Sequence, residues 1–403
     1  MEQDINFDFY IELRDFALSF RKITKELKSR QKKMLITMHR YLDGDAFGSA
    51  MALGLILRKL NIDSTLLCVP FVPEKFQFLI PLSKLNIVEP FDIVGKNAHT
   101  DFTEAMQDHF SETIQDYGAL SILDCAGRGQ VPQEAWSIGR KLPHIINIDH
   151  HVGYRLQSNE TTVLNLVGNR SSTSEVLFHV MQELEMDLDP EIAVPLYIGI
   201  IADTRKNEVS KDAPNYPREA IKTLNSQIKK VEGETQGKIK NIFSLDAWEK
   251  HLLKIIMGRI GLVENIVHVK FDHDMVYNAK KATDSLHIQK MPFHEFHIRL
   301  RQRLRRFKEE FQVVVIFDQI LGKVSLYDLH KQDTFDLAAL SRELGDGGGH
   351  MNRAGFSYQT AKEKLISTQI IADDLSEDKA MEKMVEVIRI RLSEMVETRT
   401  LLK

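Results

Sequence analysis

Residues 144–151 constrain the fold more than any other stretch of the chain; they read His-Ile-Ile-Asn-Ile-Asp-His-His. The largely apolar run Ile145–Ile148 predicts a short buried strand, and Asp149, His150 and His151 follow at its carboxyl end. In an α/β sheet, ligands bind at that end of the strands. A carboxylate and two imidazoles in succession add little to core packing and favour a divalent metal, although an isolated triplet of this kind is equally well explained as ordinary loop.

A second apolar segment, Met34–Met38, predicts a strand that ends at His39, with Asp43 and Asp45 close behind it. The apolar run Ala50–Leu60 then predicts a helix. Because the two carboxylates are two residues apart in a loop, they can point at two different ions. The structural alternatives are that Asp45 caps the helix and that His39 only ends the strand with a hydrogen bond.

Two further apolar segments each deliver one carboxylate. The strand predicted at Gly118–Cys125 places Asp124 near its end, and the helix predicted at Pro190–Ala202 ends at Asp203. An unpaired carboxylate buried after so apolar a run would cost several kcal/mol. Asp203 therefore needs a partner, for which a metal ion is the simplest candidate.

Three consecutive glycines, Gly347, Gly348 and Gly349, precede His350. In the interior of a helix or strand each glycine costs about 0.5–1 kcal/mol relative to alanine, so this segment predicts neither element. A backbone loop that closes on an anion explains it, and a flexible turn is the alternative. The same half of the chain carries the arginine-rich helix predicted at Glu295–Glu310, which is either a solvated basic face or a substrate-facing patch.

Composition narrows the class of protein. With 403 residues, of which 43% are hydrophobic and 27% charged, the chain can bury one large core, but its length favours two domains. The net charge of −4 gives no general attraction to long duplex nucleic acid. The two cysteines, Cys68 and Cys125, lack zinc-site spacing and predict a reducing compartment, and no apolar run is long enough for a membrane span. We therefore expect a cytoplasmic protein with no membrane partner.

Carboxylates mixed with imidazoles, without thiolates, fit Mn²⁺ or Mg²⁺ better than structural zinc, and Mn²⁺ accepts histidine more readily than Mg²⁺ does. The ligands suffice for two ions, which a bridging carboxylate would hold about 3.5–4 Å apart. Such a pair hydrolyses phosphoesters with activated water. The chain has neither a Gly-x-Ser-x-Gly elbow nor a phosphate-binding loop ending in Lys-Ser/Thr, so no nucleophilic side chain is predicted.

The joint pattern over residues 34–356 resembles the DHH phosphoesterases of the DHHA1 subfamily. Its parts are His39-x3-Asp43-x-Asp45, Asp124, Asp149-His150-His151, Asp203 and the distal Gly347-Gly348-Gly349-His350-x3-Ala354-Gly355. The resemblance implies an α/β enzyme with a larger parallel-sheet catalytic domain and a smaller α/β substrate-binding domain, and an active site in the cleft between them. Type II pyrophosphatases share the first domain but lack the glycine-rich motif. The length is most similar to nano-RNases and 3′-phosphoadenosine 5′-phosphate (pAp) phosphatases.

The resemblance implies a role for each site residue. One Mn²⁺ would bind His39, Asp43 and Asp124, and the second would bind Asp45, Asp124, His150 and Asp203, with Mg²⁺ as a substitute. Asp124 is then the bridge, Asp149 orients the neighbouring histidine, and His151 contacts the phosphate or assists the leaving oxygen.

The substrate-binding set implied by the resemblance lies mainly in the second domain. Gly347, Gly348, Gly349 and His350 would hold a terminal phosphate or nucleotide, with Asn352 and Arg353 nearby. The chain departs from the family pattern at Arg205, where glycine is common, and at Tyr327, where arginine is frequent. Arg205, Arg128 or Arg353 could then act as the phosphate clamp.

The expected function is that of an Mn²⁺-dependent phosphodiesterase that releases mononucleotides from short oligonucleotides and linear dinucleotides, with pAp as a further candidate. A substrate end anchored in the cleft would favour very short chains. A cyclic di-AMP phosphodiesterase and a catalytically silent nucleotide-binding regulator remain as alternatives. The sequence leaves RNA or DNA preference and a homodimer open.

The expected domains follow the motifs. They are a leading helix at 1–30, the catalytic domain at 31–210, a linker and bridging helix at 211–255, the substrate-binding domain at 256–360 and a charged helical tail at 361–403.

Overall fold

The computed structural model describes residues 2–40, 42–69, 72–89, 102–151, 155–158, 161–206, 211, 216–286, 294–330, 335–345, 347–351 and 353–401. The chain divides into two compact units, Met1–Phe243 and Ser244–Lys403. Each unit contains its own six-stranded sheet. The predicted α/β class, with a parallel sheet and a second, smaller domain, is confirmed.

The first unit is built on a sheet of six parallel strands in the order β3-β2-β1-β4-β5-β6. The strands are β1 (Lys33–Met38), β2 (Ser64–Leu67), β3 (Asn86–Val88), β4 (Tyr117–Leu123), β5 (His144–Asp149) and β6 (Val163–Val167). The helices are α1 (Glu2–Ser29), α2 (Gly44–Lys59), α3 (Leu79–Ser83), α4 (Phe102–Phe110), α5 (Gln133–Gly139), α6 (Thr173–Glu183), α7 (Pro190–Lys206), α8 (Arg218–Ile228) and α9 (Gly233–Asn241).

Helices cover both faces of this sheet. Side chains alternate along each strand, so Ile145 joins the apolar cluster beneath α4 and α5, whereas Ile146 and Ile148 join the cluster formed with α1, α2 and α6–α9. Because both faces are buried, the central strands are almost continuous apolar runs, and this is why the sequence predicted them.

The second unit has a mixed sheet in the order β11-β12-β10-β9-β8-β7, in which only β8 and β9 pair in parallel. The strands are β7 (Gly261–Val263), β8 (Ile266–Phe271), β9 (Val313–Asp318), β10 (Lys323–Asp328), β11 (Gly348–His350) and β12 (Arg353–Ser357). The helices are α10 (Ala247–Met257), α11 (His273–Ala282), α12 (His294–Leu304), α13 (Leu337–Gly345), α14 (Tyr358–Ser367) and α15 (Glu377–Leu401).

The glycine-rich segment corrects the sequence prediction. Gly348–His350 is not a loop but a short edge strand, β11, paired antiparallel with β12 so that Gly348 faces Gly355 and His350 faces Arg353. A Cβ on Gly347 would lie 2.1 Å from the carbonyl oxygen of Gly355. Glycine is thus needed at position 347 because two backbones approach closely there.

The arginines of the arginine-rich helix do not all fit either interpretation of its sequence. Arg301 of α12 is buried, and its guanidinium lies 5.0 Å from the ring centroid of Tyr327 in β10. Arg301 is therefore neither part of a solvated face nor exposed in a surface patch. Within the described residues, no helix combines the length and the apolar character that a membrane span requires.

Candidate metal centre

The centre forms where the strand order of the parallel sheet reverses. Strands β1 and β4 are neighbours, but the chain continues from β1 towards one edge and from β4 towards the other. The crevice at such a point, outside the carboxyl ends of the strands, is the usual ligand site of an open α/β sheet. His39 follows the last residue of β1, and Asp124 follows the last residue of β4. The topology therefore brings two groups from distant parts of the sequence together.

Asp124 lies at the middle of the centre in an unusual backbone conformation. Its φ of 55° is in the left-handed region, which costs a residue other than glycine about 1–3 kcal/mol. The surrounding structure holds it there: its N–H donates to the carbonyl of Ile148 at 3.1 Å, and its carboxylate oxygen Oδ1 accepts from the hydroxyl of Thr173 at 3.0 Å. Strain held in place at one carboxylate points to a functional position.

Two imidazoles approach the two oxygens of Asp124 separately. Nε2 of His39 lies 3.4 Å from Oδ2, and Nε2 of His150 lies 3.5 Å from Oδ1. His39 is also 3.7 Å from a carboxylate oxygen of Asp43, and His150 is 3.1 Å from one of Asp203. The result is two half-sites, each with an imidazole and its own carboxylate, that share Asp124.

Asp43 and Asp45 accept hydrogen bonds from two different helix N-termini. Asp43, and not Asp45, caps α2; its Oδ1 accepts from the N–H groups of Asp45 and Ala46 at 3.0 and 3.1 Å. Asp45 instead accepts from Thr173 N–H at 2.6 Å and Ser174 N–H at 2.9 Å, in the first turn of α6. The positive end of a helix favours a carboxylate, so each helix N-terminus supplies part of the positive potential that these buried acids need.

Close packing of α2 against α7 brings Asp45 and Asp203 to the same point. A Cβ on Gly48 would lie 2.4 Å from the carbonyl oxygen of Pro195, and one on Gly199 would lie 1.9 Å from Oγ of Ser174. Gly199 was not predicted as a site residue. Its only sequence signal is a small residue within an apolar helix, and a glycine there allows the backbones to approach.

Asp203 lies inside α7, which runs to Lys206, so the predicted helix end at Ala202 is wrong. Asp203 is buried in this helix with Nε2 of His150 3.1 Å from its carboxylate. The next residue, Thr204, donates its hydroxyl to the carbonyl of Ile200 one turn earlier at 2.8 Å. Asp203 is therefore held on a rigid element rather than on a loop.

Asp149 has contacts of a different kind. Its Oδ1 accepts from the backbone N–H groups of His150 at 2.8 Å and His151 at 3.2 Å, and lies 2.8 Å from the ring Nδ1 of His151. These contacts fix the two following histidines. The side chain of His151 is 28% exposed against 9% for His150, which makes His151 the more accessible imidazole.

The donor set fits divalent ions. Three groups have ligand atoms within 4.8 Å of one another: His39 with Asp43 and Asp124; Asp45 with His150 and Asp203; and Asp124 with His150 and His151. Four buried carboxylates concentrate negative charge in a small volume. Hard carboxylate and imidazole ligands of this kind match Mn²⁺ or Mg²⁺.

The pKa values show the same need for positive charge. Burial alone would lower the pKa of His39, but Asp124 and Asp43 outweigh it and raise the pKa to about 10. Burial would also lower the pKa of His150, but the carboxylates of Asp203, Asp124 and Asp45 outweigh it and raise the pKa to about 10. Burial, followed by the charges of Asp124 and Asp203, raises the pKa of Asp45. Without metal, the centre takes up protons, and divalent cations supply the same charge.

The arginines predicted to bind substrate make contacts within the protein. Arg128 lies 4.3 Å from the ring centroid of Trp136 and donates to Gln133 at 3.0 Å, and Arg205 lies 5.0 Å from the ring centroid of Phe243. These arginines therefore pack against the protein's own aromatic rings. Arg353 pairs with His350 and with Tyr327 in the second sheet, and Asn352 lies outside the described residues.

The three glycines of the second unit have different surroundings. Gly349 has a φ of 139°, and a Cβ on it would lie 2.4 Å from the carbonyl oxygen of Arg353. A Cβ on Gly348 would meet nothing within 4 Å. Gly347 and Gly349 are therefore needed by the hairpin, whereas Gly348 has open space beside it.

Comparison with known proteins places the centre in a family context. Residues 33–200 match the DHH family, N-terminal domain. That range contains every residue of the centre except Asp203. An uncharacterized protein of Methanocaldococcus jannaschii is 23% identical over 385 residues, which cover 93% of this chain and 68% of that protein.

Two solved structures align with this chain at low identity. The crystal structure of an exopolyphosphatase-related protein from Bacteroides fragilis aligns with a TM-score of 0.67 and 18% identity, covering 94% of this chain and 97% of that chain. RecJ in complex with Mn²⁺ from Thermus thermophilus aligns with a TM-score of 0.47 and 16% identity, covering 96% of this chain and 59% of that chain. The first similarity supports the α/β fold of the whole chain.

Proposed function

We propose that this chain, a DHH-family phosphoesterase, uses two Mn²⁺ ions to hydrolyse short oligonucleotides and linear dinucleotides to mononucleotides. The observation that carries the proposal is the position of Asp124 between His39 and His150, with one imidazole near each of its oxygens. A carboxylate shared in this way is the bridge that a two-metal phosphoesterase requires.

The proposed ligands follow the two half-sites. His39, Asp43 and Asp124 would hold one ion, and Asp45, Asp124, His150 and Asp203 would hold the other. When bound, the ions supply Lewis-acid charge beside the phosphorus atom and make water acidic enough to attack near neutral pH. Mg²⁺ would substitute less well, because it accepts imidazole less readily.

Asp149 and His151 would handle the leaving group. The contact between Nδ1 of His151 and Asp149 assigns the proton on that nitrogen to the hydrogen bond and so leaves Nε2 for exchange with substrate. His151 is the more exposed of the two histidines, which suits a role in contacting a phosphate oxygen or protonating the leaving oxygen. Asp149 is then a positioning residue for both neighbouring histidines.

The proposed substrate class rests on the glycine-rich segment and on the family resemblance. Gly348, with open space beside its Cα, supports contact between the backbone of the glycine-rich segment and a terminal phosphate. The resemblance to nano-RNases and pAp phosphatases supports short nucleotide substrates. Polyphosphate enters as a comparison substrate, because the Bacteroides fragilis protein is described as exopolyphosphatase-related.

A turnover panel tests the proposal. Purified protein is incubated with pApA, pAp, cyclic di-AMP and inorganic polyphosphate, each with Mn²⁺, with Mg²⁺ and with chelator. We expect pApA to be cleaved fastest with Mn²⁺, and Asp124→Asn to abolish cleavage. Faster cleavage of cyclic di-AMP or of polyphosphate would overturn the substrate assignment. Nucleotide binding without any metal-stimulated hydrolysis would overturn the enzymatic proposal and favour a silent regulator.

A further inference from the structure

We infer that helix α1 positions the metal ligand His150, because Phe9 and Tyr10 hold the side chain of Arg170, whose backbone carbonyl accepts a hydrogen bond from His150. The inference rests on the proposed function in one respect, namely that His150 binds metal. It assigns a role in the centre to a helix that lies outside the residues matched by the family.

The first step is the contact to His150 itself. Nδ1 of His150 lies 3.3 Å from the carbonyl oxygen of Arg170, while Nε2 faces Asp124 and Asp203. When Nδ1 donates to this carbonyl, Nε2 is the nitrogen available for a metal. A carbonyl that accepts from the second ring nitrogen of a ligating histidine fixes both the tautomer and the ring orientation. The position of the Arg170 carbonyl therefore sets the position of His150.

The second step is what holds Arg170. Its guanidinium carbon lies 4.2 Å from the ring centroid of Phe9 and 5.4 Å from that of Tyr10, both within cation–π range. Phe9 is itself held in a notch, because a Cβ on Gly168 would lie only 2.4 Å from its ring. The backbone N–H of Arg170 donates to the carbonyl of Gly168 at 2.8 Å, which closes the turn. Helix α1 thus packs on both ends of the turn that presents the carbonyl.

The third step is that the same short segment reaches the other ligands. Thr173 and Ser174 donate backbone hydrogen bonds to Asp45, and the Thr173 hydroxyl donates to Asp124. The residues from 170 to 174 therefore contact three of the proposed ligands. A displacement of this segment would move both half-sites together.

A second contact from α1 supports the start of α6. The side chain of Glu175 accepts from Ser171 N–H at 2.7 Å and lies 3.8 Å from Nε2 of His179. The His179 ring packs edge-on against Phe9 and Tyr10, with centroid distances of 5.9 and 6.0 Å. The two aromatic residues of α1 therefore contact Arg170 directly and reach Ser171 indirectly, through His179 and Glu175.

Core packing explains only part of these contacts, because Phe9 is a buried member of the core cluster and its ring also faces the Arg170 guanidinium. Helix α1 is anchored in the core by other side chains, among them Phe16 and Phe20, whose rings stack on each other 5.8 Å apart. Phe9 and Tyr10 differ from them in facing a cation. Tyr10 is 50% exposed, so its position on α1 is not set by core burial.

The experiment uses two pairs of variants. Arg170→Met is compared with Arg170→Lys, which retains a cation for the two rings. Phe9→Leu is compared with Phe16→Leu, which removes a ring that the same helix buries in the core. Mn²⁺ affinity is measured by calorimetry, and the visible spectrum of bound Co²⁺ reports ligand geometry. We expect Arg170→Met and Phe9→Leu to weaken Mn²⁺ binding by about tenfold. Losing a hydrogen-bond partner of a metal ligand lowers metal affinity by about 10–100-fold, and these variants displace that partner without removing it. Both should also alter the Co²⁺ spectrum. Arg170→Lys and Phe16→Leu should change neither.

The outcomes separate this inference from the proposed function. If the unaltered protein binds no Mn²⁺, the proposed function fails. If it binds Mn²⁺ normally and Arg170→Met and Phe9→Leu retain its affinity and spectrum, the positioning role is refuted while the metal centre stands. Equal losses in Phe9→Leu and Phe16→Leu would also refute it, because general destabilisation of α1 would then explain the effect. Should Phe9→Leu not fold, Tyr10→Leu at the exposed position decides in its place.

Discussion

Gly199→Ala tests whether the close approach of α7 to α2 and α6 builds the centre. The new Cβ would lie 1.9 Å from Oγ and 2.7 Å from Cβ of Ser174, and 2.8 Å from Oδ1 of Asp45. Non-bonded heavy atoms need about 3.5 Å, so the contacts are too short by about 1.6 Å at the Ser174 hydroxyl and about 0.7 Å at Asp45. Rotating the hydroxyl does not suffice, because the Ser174 Cβ is also too close. Helix α7, which carries Asp203, must move away from Asp45.

The substitution has two opposing effects on the free energy of unfolding. Overpacking costs about 1–3 kcal/mol, whereas alanine gains about 1 kcal/mol over glycine in a helix, so the net loss of stability is about 1 kcal/mol. Function should suffer more, because a misplacement of about 1 Å in a catalytic site can lower the rate about a hundredfold. We expect Gly199→Ala to stay folded but to lose at least about tenfold in kcat and in Mn²⁺ affinity.

Gly237→Ala is the matched control. It makes the same substitution inside α9, where the new Cβ would meet nothing within 4 Å. Its stability should rise by about 1 kcal/mol, with activity unchanged. Thermal unfolding, calorimetric Mn²⁺ titration and turnover of pApA are measured for both variants. Retention of full Mn²⁺ affinity and turnover in Gly199→Ala would refute the argument that this helix contact sets the spacing of the ligands.

Four further substitutions probe other contacts. Thr173→Val removes the hydroxyl that donates to Asp124. It should lower the free energy of unfolding by about 1 kcal/mol and weaken Mn²⁺ binding measured by calorimetry. An unchanged Mn²⁺ affinity would mean that Asp124 does not need this hydrogen bond. Gly349→Ala places a side chain at a φ of 139° and should lower the free energy of unfolding, measured in urea, by about 1–3 kcal/mol. Gly348→Ala should leave stability unchanged and raise KM, because its Cβ would enter open space where substrate is proposed to bind. An unchanged KM would remove Gly348 from substrate binding. His151→Gln should lower kcat about a hundredfold with Mn²⁺ affinity retained, and equal losses in both would make His151 a metal ligand instead.

The sequence predicted the parts of the fold that buried strands determine. Strands β1, β4 and β5 are apolar runs because helices cover both faces of their sheet, and each ends beside a residue of the centre. Strands β6 and β12 were not predicted, because Val163–Val167 is only half-buried and Arg353–Ser357 contains Arg and Gly. Strand order could not be predicted either, since it depends on long-range pairing that no local pattern records.

The candidate site was predicted in its residue types but not in its supports. Apolar runs ending in Asp or His indicated Asp124 and Asp203 because burial of a charge demands partners. The contributions of Thr173 and Ser174 came only from the structure, since backbone N–H groups give no sequence signal and the Thr173 hydroxyl reaches Asp124 only through long-range folding. The glycine-rich segment was misread as a loop for a related reason: the need for glycine comes from the backbone of β12, which pairs with it in space.

The number of bound ions and the distance between them test the two-metal centre most directly. We expect calorimetry to give two Mn²⁺ per chain, and electron paramagnetic resonance to show the coupling of two ions about 3.5–4 Å apart. Asp124→Asn should remove the coupling, because the residue between the two half-sites is lost. A single, uncoupled ion in the unaltered protein, or coupling that survives Asp124→Asn, would contradict the claim that Asp124 joins two metal ions in one catalytic centre.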